Sequence, residues 1–240
     1  MYRLFEYNGY CYQILNKEDR SIGGSITEIV IRDEYRLHKY SNLTGNIIDI
    51  GANCGVATII LAKQNPLATI YSYEPHYATF KMLEENVSLN GLTNVKLFNL
   101  AVSDSSNKHV TLFLTPYFSG GNTTCSDELA FSNFYHTRNH ETVKCISFDD
   151  IIIQHNIESI DLMKIDCEGA EYEIIYNSNK IKEGMVKNIV GEFHDLCYNT
   201  HVTNNSESLI NYCKKHIPNV NISTLALDKD SLSKLIPERF

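Results

Sequence analysis

Apolar and polar positions follow different rhythms along the chain, and each rhythm predicts different elements. In residues 1 to 45, short pieces such as "YCYQIL" and "ITEIVI" alternate with a period near two. They are expected to be strands of an N-terminal extension packed on the core. From residue 46 the pattern becomes regular. "NIIDI" is almost continuously apolar, as a strand buried on both faces must be. "GVATIILAKQ" reads as a helix stopped by Asn65-Pro66, and "TIYSYE" as the next strand. Pro75 opens the amphipathic stretch "HYATFKMLEENVSLNG", which ends on Gly91 as a helix does. "NVKLFNLAVSD" is a third strand. Strand, helix, strand, helix, strand is the start of a doubly wound α/β fold.

Regularity lapses from 104 to 145. "HVTLFL" predicts a strand, but the polar, aromatic stretch after it is too long for an ordinary connection and reads as a lid or insertion near 115–145. Further on come a helix "SFDDIIIQH", a strand "IDLMKID", a helix "GAEYEIIYNS" and a strand "NIVGEFH". A capped helix "NNSESLINYCKKH" and a last strand "NVNISTLAL" follow. The expected organisation is an extension over 1–45 and a ligand-binding domain over 46–240. The extension would complete the pocket or form a homodimer contact.

Candidate chemistry collects where predicted strands end. After "NIIDI" the chain reads D-x-G-x-x-x-G, with Asp49, Gly51 and Gly55. Gly51 removes a Cβ at the turn, so a ligand can approach the backbone. Gly55 lets the helix start lie close to ligand or sheet. A pyrophosphate cradle gains nothing from an adjacent carboxylate, whereas Asp49 suits a ligand with a positive amine. Glu74 ends the second strand, 23 residues after Gly51, an offset at which an acid accepts hydrogen bonds from ribose hydroxyls. One carboxylate for an amine and one for a ribose point to an adenosyl amino acid, and S-adenosylmethionine (SAM) fits both.

The segment "IDLMKIDCEGAEYE" crowds Asp161, Lys164, Asp166, Glu168 and Glu171 at a strand-to-helix junction. On a strand, Asp166 and Glu168 face the same side, and two such carboxylates call for a ligand, proton or cation between them. Glu171, on the helix, reads as structural. "GEFHD" ends the next strand, with Glu192 and His194 sharing one face. If the two strands are neighbours, Asp166, Glu168, Glu192 and His194 surround one crevice, with His194 a general base or metal ligand.

Composition narrows the partners. A formal net charge of −8 with no basic block makes nucleic acid a poor partner. Seven scattered cysteines, an odd number with no C-x-x-C pair, read as reduced thiols of a cytoplasmic protein. No signal core and no membrane-spanning run is evident.

"IIDIGANCG", "YEP", "NLAVSD", "IDLMKIDCEGAE" and "GEFH", in that order, resemble the FkbM family of SAM-dependent methyltransferases over roughly residues 46 to 195. The resemblance implies a class I methyltransferase fold, a Rossmann-like, mostly parallel seven-stranded sheet with a last antiparallel strand. It implies methyl transfer, usually to a hydroxyl oxygen, in a family whose members act on sugars, lipooligosaccharide signals and polyketides; the residues are compatible with a sugar, a nucleotide-linked glycan precursor, a phosphorylated metabolite or a polyketide as acceptor. Carried over, Asp49, Gly51, Asn53 and Gly55 would shape the methionine end of the pocket and Glu74 would hold the ribose. Ser103 and Asp104 would lie near the adenine, and Asp166 nearest the methyl group. From the chemistry of methyl transfer and not from the resemblance, His194 or Asp166 is expected to act as base, with Glu168 and Glu192 either orienting it or holding a divalent ion, Mg2+ or Mn2+. In the insertion, Tyr117, Phe118, Phe131, Phe134 and Tyr135 would cover the acceptor, and His136, Arg138 and His140 would contact an anionic group on it. A nicotinamide-dependent oxidoreductase is the rival enzyme, but residues 49 to 55 lack its G-x-G-x-x-G pattern. A non-catalytic SAM-binding scaffold is the rival outside enzymes.

Overall fold

The computed structural model describes residues 2–15, 20–104, 108–115, 119–124, 139–195 and 205–225. At the N-terminus, β1 (Tyr2–Tyr7) and β2 (Tyr10–Leu15) pair antiparallel. Asn8 and Gly9, both at positive φ, make the two-residue turn that antiparallel strands favour. Helix α1 (Arg20–Ile26) follows and continues through one π turn at Thr27–Ile31. This corrects the strand expected for "ITEIVI". As a strand, that segment would send Ile29 and Ile31 to one face and Ile26 and Val30 to the other. Wound helically, it buries Ile22 and Ile29 against the core, packs Ile26 and Val30 beside them, and leaves Ile31 in solvent.

The centre of the molecule is a six-stranded sheet made of β3 (Asn46–Ile50), β4 (Thr69–Tyr73), β5 (Val95–Phe98), β9 (Ile160–Ile165), β10 (Asn188–His194) and β11 (Asn219–Leu225). Its order is β11-β10-β9-β3-β4-β5, and every neighbouring pair is parallel. Helices α2 (Val56–Gln64) and α3 (Tyr77–Leu89) connect β3, β4 and β5. Helix α2 is buried at all but one of its residues. The N-terminal segment explains this, because Tyr12, Ile14, Ile22, Tyr35 and Leu37 share one core with α2 and α3. No antiparallel strand joins the central sheet among the described residues.

The stretch expected as one third strand divides. β5 stays in the central sheet, while β6 (Ala101–Ser103) leaves it to pair with β8 (His140–Ser147), which also pairs antiparallel with β7 (His109–Phe113). The Ser147 hydroxyl caps α4 (Phe148–Gln154) by accepting the Asp150 amide hydrogen at 3.1 Å. Among the described residues the remaining α-helices are α5 (Glu171–Asn177), α6 (Asn179–Lys182) and α7 (Ser206–His216). A second core, rich in Ile, fills the sheet face under α4, α5 and α7. The five described cysteines are free thiols. No helix among the described residues is long and apolar enough to cross a membrane.

Because the central strands are parallel, β4, β3, β9 and β10 present their carboxyl ends side by side. The chain runs from β3 outward to β4 and β5, then returns to build β9 on the other side of β3. That reversal opens a crevice at the carboxyl edge.

Candidate functional site

A cavity of about 250 Å³ occupies this crevice. Its floor is the turn after β3, residues 51–53. One end is Glu74 and Pro75 after β4, and the other is Asp166 to Glu168 after β9 with Glu192 and His194 of β10. Among the described residues, five carboxylates line it (Glu28, Glu74, Asp166, Glu168 and Glu192), together with the basic side chains of Lys164 and His194. Such a wall favours a ligand with positive charge.

The floor is fixed by backbone geometry. Gly51 has φ +73°, and a Cβ there would lie 1.9 Å from the Asp166 carbonyl oxygen. Its bareness therefore lets the ends of β3 and β9 close together, besides opening the backbone to the cavity. At Gly55 a Cβ would meet Leu83 of α3 at 2.5 Å, so this glycine serves helix packing. Asn53 adopts a left-handed conformation, and its backbone N–H donates to Glu74 Oε2 at 2.9 Å. The other oxygen, Oε1, accepts the His76 N–H at 2.9 Å. Both oxygens keep acceptor capacity toward the cavity. Burial pushes the Glu74 carboxyl up to about 7.

Asp49 differs from expectation. It is fully buried and does not line the cavity. Its Oδ2 accepts the Thr58 hydroxyl at 2.6 Å, and its Oδ1 faces Lys164 Nζ at 3.3 Å across paired strands. The ammonium it meets is the protein's own. Lys164 in turn donates to the Gly51 carbonyl at 2.7 Å, tying the floor to β9. Burial works against this cation, but Asp49 and then Asp166 outweigh it and hold its pKa above the ordinary value.

The acidic end gathers as the two-residue spacings predicted, though by another route. Strand β9 stops at Ile165, and Glu168, at φ +54°, turns back toward the cavity instead of extending the strand. His194 Nε2 ends 3.6 Å from Glu168 Oε2, 3.6 Å from Glu192 Oε2 and 3.9 Å from Asp166 Oδ1. Its Nδ1 lies 3.0 Å from Glu171 Oε1. Glu171 is fully buried and accepts the backbone N–H groups of Cys167 and Gly169, both at 2.9 Å. The structural reading of Glu171 gains a purpose, since it clamps the β9–α5 turn and aims the imidazole. Burial opposes protonation of His194, but Glu168 and Glu171 outweigh it and hold the ring well above its usual pKa. Burial pushes Glu168 up to about 8 and Glu192 up to about 7. Asp166, Glu192 and His194 each place one donor atom within 4.8 Å of the others, a set able to hold a metal ion.

Several cavity residues carried no signal in the sequence. Tyr35, 2% exposed, donates its hydroxyl to Asp166 Oδ2 at 2.7 Å from 131 positions upstream. Ser25, Glu28 and Ile29 of the α1 region form the adjoining wall. Ser103 and Asp104 do not line the cavity; Leu100, Ala101 and Val102 do. The chain veers into the second sheet at β6, which carries Ser103 to the buried side and Asp104 outward. From the insertion, Ser119 to Asn122 and Thr124 reach the cavity. Tyr117, Phe118, Phe131, Phe134, Tyr135, His136 and Arg138 lie outside the described residues. His140 begins β8 and is not among the lining residues.

A doubly wound sheet with an acid-walled crevice at its switch point defines a binding fold for a nucleoside-type ligand. Comparison with known proteins narrows it. Residues 49–213 match the methyltransferase FkbM domain. The chain is 27% identical over 194 residues to methyltransferase sdnD of Sordaria araneosa, covering 69% of this chain and 74% of that protein. It is 22% identical over 184 residues to the 31-O-demethyl-FK506 methyltransferase FkbM of Streptomyces tacrolimicus, covering 68% and 70%. Among solved structures, M. jannaschii TYW2 in complex with AdoMet shares 21% identity over 45% of this chain and 52% of that one, with a TM-score of 0.29. The chain belongs to the FkbM methyltransferase family, and with it to the SAM-dependent methyltransferases.

Proposed function

We propose that this protein transfers the methyl group of SAM to a hydroxyl oxygen of a small acceptor, such as a sugar or glycan precursor. The observation that carries the reading is a single cavity with a ribose-type acid, Glu74, at one end and the Asp166–Glu168–Glu192–His194 group at the other. The donor set fits the cofactor. Glu74 keeps free acceptor capacity for a ribose diol, and the surplus of carboxylates offsets the positive sulfonium and amine. Leu100 and Val102 give an apolar seat for the adenine. Asp49 supports this pocket indirectly, by holding Lys164 against the Gly51 carbonyl.

When bound, SAM supplies an electrophilic methyl group on a sulfonium. The chain's own residues must align an acceptor oxygen with it and take up the hydroxyl proton. Asp166 suits the second task best. Its side chain is 25% exposed in the cavity, whereas His194, 1% exposed, stands behind it. Tyr35 holds the Asp166 carboxylate from the far side. In this reading the acidic end is also where Mg2+ or Mn2+ would sit. A hydroxyl acceptor is supported by one relative, whose name specifies an O-demethyl substrate.

The test is incubation of the protein with methyl-labelled SAM and pools of hydroxylated metabolites, read by mass spectrometry. Label should enter an oxygen-linked methyl group. The Asp166→Asn variant should lose at least about a hundredfold in turnover while still binding S-adenosylhomocysteine (SAH). Near-normal turnover in Asp166→Asn would refute the assignment of Asp166. Labelled product carrying the methyl group on nitrogen would refute the acceptor class.

A further inference from the structure

We infer that Asp166 Oδ1, Glu192 Oε2 and His194 Nε2 form a binding site for one divalent cation of the Mn2+ type. This rests on the methyl-transfer reading and refines it: with the ion bound, Asp166 would serve as a ligand, and the ion, by lowering the acceptor's pKa, would take over from it as the group that eases loss of the hydroxyl proton.

The distances are the first reason. An imidazolium bonded directly to a carboxylate sits about 2.7–2.9 Å from it. Here the nitrogen stands 3.6 Å from Glu192 and 3.9 Å from Asp166, and one donor atom from each of the three residues lies within 4.8 Å of the others. They surround a point instead of pairing off. An octahedral ion with bonds of about 2.1 Å holds adjacent donors about 3 Å apart and opposite donors about 4.2 Å apart. Closing the 3.6 and 3.9 Å separations by about 0.6 and 0.9 Å would bring these atoms to the adjacent-donor spacing.

The orientation of the imidazole is independent of those distances. His194 is 99% buried (1% exposed), and its Nε2 makes no hydrogen bond among the described residues. Its Nδ1 is held by Glu171, which two backbone N–H groups lock in place. A carboxylate behind one imidazole nitrogen, with the other nitrogen aimed at a gap between carboxylates, is how metal-binding histidines are oriented. Tyr35 occupies Asp166 Oδ2 and leaves Oδ1 for the ion. One nitrogen and two carboxylate oxygens favour Mn2+ over Mg2+, because imidazole suits the transition metal better. Glu168, 3.6 Å from the same nitrogen, remains free to bond a water on the ion.

The test is calorimetric titration of MnCl2 into the full chain, with the electron paramagnetic resonance signal of Mn2+ reporting uptake. One ion per chain is expected. Glu192→Gln should weaken binding at least about tenfold, and Glu171→Gln, which only loosens the imidazole, by about ten- to a hundredfold. Glu74→Gln, in the same acidic cavity but outside the donor set, should change it less than about threefold. Glu192 is part-exposed, so its amide variant should fold, and circular dichroism checks this. No uptake at millimolar MnCl2, or equal losses in Glu192→Gln and Glu74→Gln, would overturn the site. Thermal shift with SAH separates the two readings. Stabilisation by SAH without Mn2+ uptake sinks the metal site alone, and absence of both sinks the methyl-transfer reading as well.

Discussion

Glu74→Gln separates the cost of this carboxylate to folding from its value to the ligand. The side chain is 7% exposed, and each oxygen accepts one backbone N–H at 2.9 Å. Burial raises its pKa from 4.5 to about 7, against those two hydrogen bonds and nearby Lys164, which pull it down, while Asp49 adds slightly to the rise. A rise of that size corresponds to roughly 3 kcal/mol of penalty on the ionised form. Because the folded pKa is the higher one, this stabilising contribution is fully present below about 4.5. It is lost as the pH rises through about 7. Gln removes the charge but leaves one backbone N–H facing an amide NH2, which costs about 1–3 kcal/mol. The two changes nearly cancel at pH 8, so stability there should stay within about 2 kcal/mol of the parent by urea unfolding. Ligand affinity should not cancel. A ribose diol donates best to an ionised carboxylate, and about a tenth of Glu74 is ionised at pH 6 against about nine-tenths at pH 8. Calorimetry should find SAH binding about tenfold tighter at pH 8 in the parent. In Glu74→Gln the dependence should flatten and affinity at pH 8 should fall about thirtyfold, the loss of roughly 2 kcal/mol of charge-assisted hydrogen bonding. Equal SAH affinity in the two proteins at pH 8 would refute the ribose assignment.

Other variants probe the frame. Gly51→Ala would drive a methyl group to 1.9 Å from the Asp166 carbonyl and hold alanine at φ +73°. It should cost about 3–5 kcal/mol in urea unfolding, and a loss under about 1 kcal/mol would show that β3 and β9 do not close as described. Tyr35→Phe removes the hydroxyl bonded to Asp166 and should lower stability by about 1.5–3 kcal/mol, a fall in melting temperature of roughly 3–10 °C. An unchanged melting temperature would mean that the N-terminal segment does not support Asp166.

The central fold was legible because parallel strands buried on both faces leave near-continuous apolar runs. "NIIDI" and "NIVGEFH" correspond to β3 and β10 residue for residue. The acidic end was legible because Asp166, Glu168, Glu192 and His194 sit at the ends of strands that topology makes neighbours. "ITEIVI" was misread because β-branched residues satisfy a strand pattern, while burial under the hairpin and against α2 decided for a helix. Asp49 was misread because nothing in the sequence says that Lys164 lies opposite it. That pairing depends on the register between β3 and β9, strands more than a hundred residues apart. Tyr35 and Glu28 come from a segment with no motif, and only its packing on α2 carries them to the cavity. Gly55 was noticed for the right reason, a missing Cβ, but the atom that needs the space is Leu83.

The account stands on one cavity holding one sulfonium nucleoside between the tips of β4 and β9. Isothermal titration of the full chain with SAH, and in parallel with NAD, tests it most directly. Saturable 1:1 binding of SAH, accompanied by a raised melting temperature, and no heat with NAD is the predicted result. Binding of NAD alone, or of neither, would contradict it.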